Sequence, residues 1–119
     1  MNAPDVKLGC VANVFVRMMH FKEVGDIERG HIHDFDHVTL VANGTIELTV
    51  NPDTDQAITV SFTAPQLIFI AKDKIHQLKA LQPNTVACCI HGLRDENDDI
   101  LDPSMVPEEV HKGVLAGLV

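Results

Sequence analysis

Residues 25–44 read GDIERGHIHDFDHVTLVANG and hold three of the seven histidines of this 119-residue chain. His31 and His33 are two positions apart, so both imidazoles point to one face if the segment is extended. His37 keeps the same parity and begins a β-branched run. Neutral imidazole nitrogens bind Zn, Fe, Mn, Ni and Cu. The spacing predicts a metal site built on a strand. The alternative is a set of polar side chains on a solvated strand edge.

A fourth histidine, His76, follows a turn at Lys72-Asp73-Lys74 and begins another predicted strand. Asp34 and Asp36 flank the first histidines as candidate acceptors that would fix the ring tautomers.

The rest of the chain from residue 10 to residue 91 consists of short β-branched segments separated by turn residues, which predicts about seven or eight strands in an all-β barrel or sandwich. A long opening strand is expected over residues 11–21. Asn43-Gly44 predicts a hairpin turn between strands at 38–42 and 45–50, because Asn-Gly favours the positive φ that such turns need. The remaining predicted strands cover residues 57–62, 66–71, 75–81 and 85–91.

The pattern Gly25-x5-His31-x-His33-x3-His37-x6-Gly44 resembles the first motif of the cupin superfamily, G-x5-H-x-H-x3-4-E-x6-G, with a histidine in place of the usual glutamate. The second motif, G-x5-P-x-G-x2-H-x3-N, is poorly kept. His76 matches its histidine, whereas its proline, glycine and asparagine are replaced by Ala71, Asp73 and Ala80. The resemblance covers about residues 25–91.

This resemblance implies a double-stranded β-helix (jelly-roll) barrel, placed at residues 1–94. Residues 95–119 are expected to form an acidic loop and a short helical tail that packs on the barrel or on a partner subunit. Pro107-Glu108-Glu109 is suited to a helix start, since proline fits the first turn and carboxylates favour the positive end of the helix dipole.

By the same resemblance, the ligands of a divalent transition metal (Zn, Fe, Mn or Ni) would be His31, His33, His37 and His76. Four neutral imidazoles leave the double charge of the metal uncompensated, whereas the usual glutamate would cancel one unit. We therefore expect this site to hold bound water or an anionic substrate more strongly.

Four further residues are weaker candidates for catalysis. His20 and His91 end predicted strands, where each is either a general base at the barrel mouth or a solvated surface residue. Arg17 and Glu47 lie on strand faces opposite the apolar ones, which are either pocket walls or the outer surface.

Composition excludes several classes of partner. A net charge of −8 and the absence of Trp and Tyr disfavour nucleic-acid binding. The apolar runs fall far short of the ~20 residues of a membrane-spanning helix, and no signal-peptide pattern opens the chain.

The three cysteines, Cys10, Cys88 and Cys89, lack a CxxC spacing and favour reduced thiols in a cytoplasmic protein.

The sequence thus predicts a metal-binding cupin that acts on a small oxygen-rich or anionic molecule. Either Fe(II) dioxygenase-type oxidation or Lewis-acid isomerase, cyclase or lyase chemistry on Zn, Mn or Ni is compatible with the histidines. One alternative is a non-catalytic binding module with a structural metal. Another is an interaction protein that dimerises through its first strand and its apolar tail helix. The resemblance itself also implies a homodimer, since many small cupins are dimers.

Overall fold

The structure, a computed structural model, describes residues 1–30 and 32–106 and contains nine strands and one short 3-10 helix in that part of the chain. The strands are β1 (Asp5–Val11), β2 (Val14–Phe21), β3 (Ile27–Glu28), β4 (His37–Asn43), β5 (Thr45–Val50), β6 (Ile58–Thr63), β7 (Gln66–Ile70), β8 (His76–Ala80) and β9 (Thr85–Gly92), and the 3-10 helix is Pro103–Met105.

Two antiparallel sheets enclose the core. One has the strand order β1-β2-β9-β4-β7 and the other the order β3-β8-β5-β6. Fully buried side chains come from both sheets, among them Met19, Phe21 and Val41 from the first and Ile46 from the second. Each contributes about 1.5–3 kcal/mol by leaving water. The predicted all-β jelly-roll architecture is confirmed.

The predicted opening strand at residues 11–21 is wrong in its extent. The chain forms a hairpin, in which β1 pairs with β2 from Asp5 opposite His20 to Val11 opposite Val14. The intervening Ala12 has a positive φ of 53°. Alanine gives no sequence signal for such a turn, because the left-handed region favours Gly, Asn and Asp.

The predicted hairpin at Asn43-Gly44 is also wrong. The strands on either side of it belong to different sheets, since β4 pairs with β7 and β9 whereas β5 pairs with β6 and β8. Gly44 has a φ of 77°, and a Cβ there would overlap the side chain of Thr85. The glycine therefore marks a corner at which the chain crosses between sheets against β9.

Alternation along the strands decides which side chains face the interior. In β4 the buried residues are His37, Thr39 and Val41, and in β5 they are Ile46 and Leu48. The register places Thr39 beside Cys89 and Cys89 beside Arg17, so these side chains share the inner face of the five-stranded sheet. Cys88, by the same alternation, faces outward.

Beyond β9 the chain folds back on the barrel. The amide of Leu101 donates to the carbonyl of Leu93 at 2.8 Å, and the side chain of Asn13 donates to the carbonyl of Leu101 at 2.8 Å. The predicted tail helix from residue 107 lies outside the described residues. In the described part of the chain, no helix is long and apolar enough to cross a membrane.

Candidate metal centre

A cavity between the two sheets collects three of the four histidines predicted as metal ligands. His33, His37 and His76 all line it, together with Gly30 and side chains from the barrel interior. Including the open solvent at its mouth, the cavity has a volume of about 410 Å³. His31 lies outside the described residues.

Each histidine is placed by a specific element. His37 is the first residue of β4 and pairs with Ile70 of β7, and His76 is the first residue of β8 and pairs with Val50 of β5. His33 lies in the loop before β4. Its neighbour Ile32 forms an isolated bridge with Ile75, directly before His76. The two histidine-bearing segments therefore meet although more than forty positions separate them in the sequence.

Gly30 allows this close approach. Its φ is +70°, and a Cβ at this position would overlap the backbone carbonyl oxygen of His76. The glycine is thus needed both for its backbone conformation and for space. The cupin motif does not include Gly30, although a glycine directly before His31 is a visible signal in the sequence.

His37 is the most deeply placed of the three rings. It is 9% exposed, and its ring centroid lies 5.3 Å from that of His33 at an interplanar angle of 80°. Burial, followed by the neighbouring imidazoles of His33, His91 and His76, lowers the pKa of His37 to about 4. The ring is therefore neutral near pH 7, which is the form that binds a metal.

Nδ1 of His37 is buried and has no hydrogen-bond partner among the described residues. Such an orphaned buried atom is unusual in a protein interior and costs about 1–3 kcal/mol. Burial also lowers the pKa of His76 and favours its neutral form. Imidazole nitrogens, favoured in the neutral form in His37 and His76, are donors that a divalent transition metal accepts.

The described side chains do not by themselves complete a metal site. Within residues 1–30 and 32–106, no group of three His, Cys, Asp or Glu side chains is arranged so that it could hold an ion. The predicted set includes His31, which is not described.

The cavity wall contains an ion pair of which the sequence predicted one residue and not the other. Arg17, a weaker candidate, lines the cavity, and its Nη2 lies 3.2 Å from Oε2 of Glu28. Glu28 was missed. Its register opposite the buried Leu78 places it on the inner face, but β3 has only two residues, too few for an alternating pattern to be read. Thr39 and Cys89 also line the cavity, and their side chains lie 3.4 Å apart. Burial raises the pKa of the Cys89 thiol.

The other three weaker candidates do not line this cavity. His91 lies close enough to influence the pKa of His37 and packs against Phe35, with 4.5 Å between the ring centroids, and its Nδ1 donates to the Gly92 carbonyl at 3.0 Å. His20 faces outward, where its Nε2 lies 3.1 Å from Oδ1 of Asn84. Glu47 lies between the buried Ile46 and Leu48 and so faces away from the core.

No protein-family model matches the chain, and no curated protein matches it. Solved structures do resemble it. KdgF from Halomonas sp. is 15% identical, with a TM-score of 0.61 over 77% of this chain and 80% of that chain. A cupin 2 domain-containing protein from Halorhodospira halophila is 19% identical, with a TM-score of 0.62 over 81% of this chain and 73% of that chain.

A variant of oxalate decarboxylase from Bacillus subtilis is 14% identical, with a TM-score of 0.65. That match covers 100% of this chain but 36% of the decarboxylase. At these identities the likeness establishes the cupin-type double-stranded β-helix and no activity. The fold that the first histidine motif implied is therefore confirmed.

Proposed function

We propose that this chain, which has a cupin fold, binds a divalent transition metal through His31, His33, His37 and His76. It then acts as a small metal-dependent enzyme on an oxygen-rich or anionic molecule. The observation that carries the proposal is the convergence of His33, His37 and His76 on one cavity, where the buried Nδ1 of His37 has no hydrogen-bond partner in the part of the chain that the structure describes.

The protein's own groups prepare such a site. Burial keeps His37 neutral, so no proton has to leave the ring when a metal binds near pH 7. The main chain of the two loops holds His33 and His76 in place and limits the entropy lost on binding. A divalent metal bound here supplies Lewis-acid activation of a ligand oxygen or, in the case of iron, oxidation chemistry.

The charged pair in the wall favours a reaction or binding site over a purely structural metal. Arg17 and Glu28 are only 30% and 21% exposed in their side chains, and they lie in the same cavity as the imidazoles. A metal that only braces the fold needs no such pair beside it. Glu28 is also the single carboxylate among the described residues that line the cavity. This scarcity of acid–base groups keeps a non-catalytic binding module as the second candidate.

We further propose a cytoplasmic location and a homodimer with the small-molecule site in each subunit. All three cysteines are free, which suits a reducing compartment. The outer face formed by β2, β9, β4 and β7 supports the dimer. It carries no Asp, Glu, Lys or Arg, although the whole chain has a net charge of −8. Two copies can therefore meet there without bringing like charges together.

The metal proposal is tested by elemental analysis of protein purified without a histidine tag, followed by reconstitution with Fe(II), Zn, Mn or Ni. We expect about one metal per chain, strong loss in His37→Ala and no loss in the matched control His20→Ala. A substoichiometric metal content that none of the four metals restores would refute the metal site.

Oxygen uptake with Fe(II) across small acids, diketones and thiols then separates oxidation from the Lewis-acid reactions. Product analysis of the same mixtures without oxygen detects isomers, cyclised products and cleavage products, and a loaded protein that changes none of the compounds is the binding module.

A further inference from the structure

The ion pair between Arg17 and Glu28 joins the two sheets inside the barrel. Arg17 lies in the middle of β2, in the five-stranded sheet, and Glu28 ends β3 at the edge of the four-stranded sheet. Both side chains line the cavity that contains His33, His37 and His76. A guanidinium and the imidazole cluster therefore face a common space.

The hydrogen bonds of Arg17 leave capacity for a ligand. Nη2 donates to one oxygen of Glu28 at 3.2 Å, and Nη1 donates to the thioether sulfur of Met19 at 3.1 Å. A thioether is a weak acceptor, and a guanidinium carries five N–H donors in a planar fork that matches both oxygens of a carboxylate. A ligand carboxylate would improve the hydrogen bonding of this side chain.

The remaining walls restrict what such a ligand can be. Ile70 and Leu78 contribute buried aliphatic surface, and Thr39 is the hydroxyl residue beside them. The ligand therefore has a short aliphatic body with a carboxylate at one end. The histidine site requires a second oxygen on that body.

We propose that Arg17 binds the carboxylate of a short aliphatic hydroxy- or oxo-acid in this cavity, and that Glu28 occupies the same guanidinium when the acid is absent. The inference rests on the proposed function, because the second oxygen of the acid is held at the histidine site. Glu28 and the ligand compete for one cation, so the two residues have opposite effects on affinity.

Calorimetric titration of the metal-loaded protein with lactate, and with the uncharged lactamide, tests this assignment. We expect lactate to bind at least tenfold more tightly than lactamide. Arg17→Gln should weaken the affinity for lactate at least tenfold and leave the affinity for lactamide nearly unchanged. The lactate affinity of Arg17→Lys should lie between those of Arg17→Gln and the unchanged protein. Glu28→Gln should increase the affinity for lactate about threefold or more. Loss of an ion pair with a merely structural role would not produce this increase. Lys22→Gln, which removes an exposed positive charge outside the cavity, should change neither.

Equal lactate affinity in Arg17→Gln and the unchanged protein would overturn the inference, as would weakening in Glu28→Gln. Failure of the unchanged, metal-loaded protein to bind lactate would do the same. If Arg17→Gln does not fold, the opposite shifts expected of Arg17→Lys and Glu28→Gln decide the question. Metal content measured in each sample separates the two claims. A protein that holds about one metal per chain but does not bind lactate refutes this inference alone. A protein that holds no metal and cannot be reconstituted refutes the proposed function. Titration of that metal-free protein with lactate still tests the role of Arg17.

Discussion

The backbone amide of Asp73 donates a 2.8 Å hydrogen bond to the carbonyl oxygen of His33. Asp73 itself has a positive φ of 64° in the turn that leads to His76. A second bond runs in parallel, from the amide of Lys72 to Oδ1 of Asp36 at 2.8 Å. One main-chain and one side-chain hydrogen bond thus join the loop before β4 to the turn before β8, and they hold the backbones of the two histidine-bearing segments together.

Removal of the Asp36 carboxylate should loosen this junction. Asp36→Ala deprives the Lys72 amide of its acceptor, which costs about 1 kcal/mol in the free energy of unfolding. We also expect weaker metal binding, since the two loops that position the histidines are then held less firmly relative to each other. Urea unfolding and metal competition measure the two effects, with Asp55→Ala in an exposed turn as the control. A variant indistinguishable from that control would show that the bond does not hold the loops.

Substitution of Gly30 should be far more damaging than substitution of Gly25. Both glycines have positive φ, at 70° and 91°, but a Cβ on Gly30 meets the His76 carbonyl whereas a Cβ on Gly25 meets nothing within 4 Å. Gly25→Ala therefore carries only the backbone cost of about 1 kcal/mol, and Gly30→Ala adds the displacement of the His76 segment. Denaturant unfolding compares the pair, and equal losses would contradict the proposed close approach.

Stability of the metal-free protein should fall on acidification. The pKa of His37 is about 4 in the folded protein and near 6.5 when unfolded. Between those values the unfolded chain binds more protons, so stability rises with pH from about 4 to about 6.5 and this contribution is complete above that. The full effect is on the order of 3 kcal/mol.

Urea unfolding of chelator-treated protein from pH 4.5 to 7 measures this dependence. His37→Gln should reduce the slope of stability against pH by close to one proton. Identical slopes in the unchanged protein and in His37→Gln would contradict the burial of this imidazole.

The proposed dimer should dissociate when a charge is placed on the uncharged outer face. Phe69 and Leu67 are 69% and 65% exposed on β7, next to Val38 and Leu40 of β4. Phe69→Lys would bury a charge without a partner at the interface, so we expect monomers in light scattering at micromolar concentration. Ile58→Lys is the control, because Ile58 is 62% exposed on the other sheet. A monomeric unchanged protein would refute the dimer.

The sequence predicted the strands well where burial alternates. In β5, Ile46 and Leu48 point inward as the pattern indicates. It failed where the same local signal has two tertiary outcomes. An Asn-Gly pair fits a hairpin turn, but whether the flanking strands pair with each other depends on partners far along the chain, here β9 and β6.

The histidine motif predicted that His33, His37 and His76 lie together, and these three do line one cavity. The motif did not predict Glu28, because the partner of this carboxylate, Arg17, approaches it from the opposite sheet. Glu47 shows what alternation along a single strand leaves open. Alternation along one strand places it opposite the apolar face, but alternation alone does not tell an interior wall from the outer surface.

X-ray absorption at the metal edge of the reconstituted protein shows whether the four histidines are the ligands. This assignment predicts a first shell of nitrogen and oxygen only, with the multiple-scattering signature of about four imidazoles, and fewer imidazoles in His31→Ala, His33→Ala, His37→Ala and His76→Ala. Sulfur at about 2.3 Å, which is the distance of a zinc–thiolate bond, or an unchanged imidazole count in these variants would contradict it.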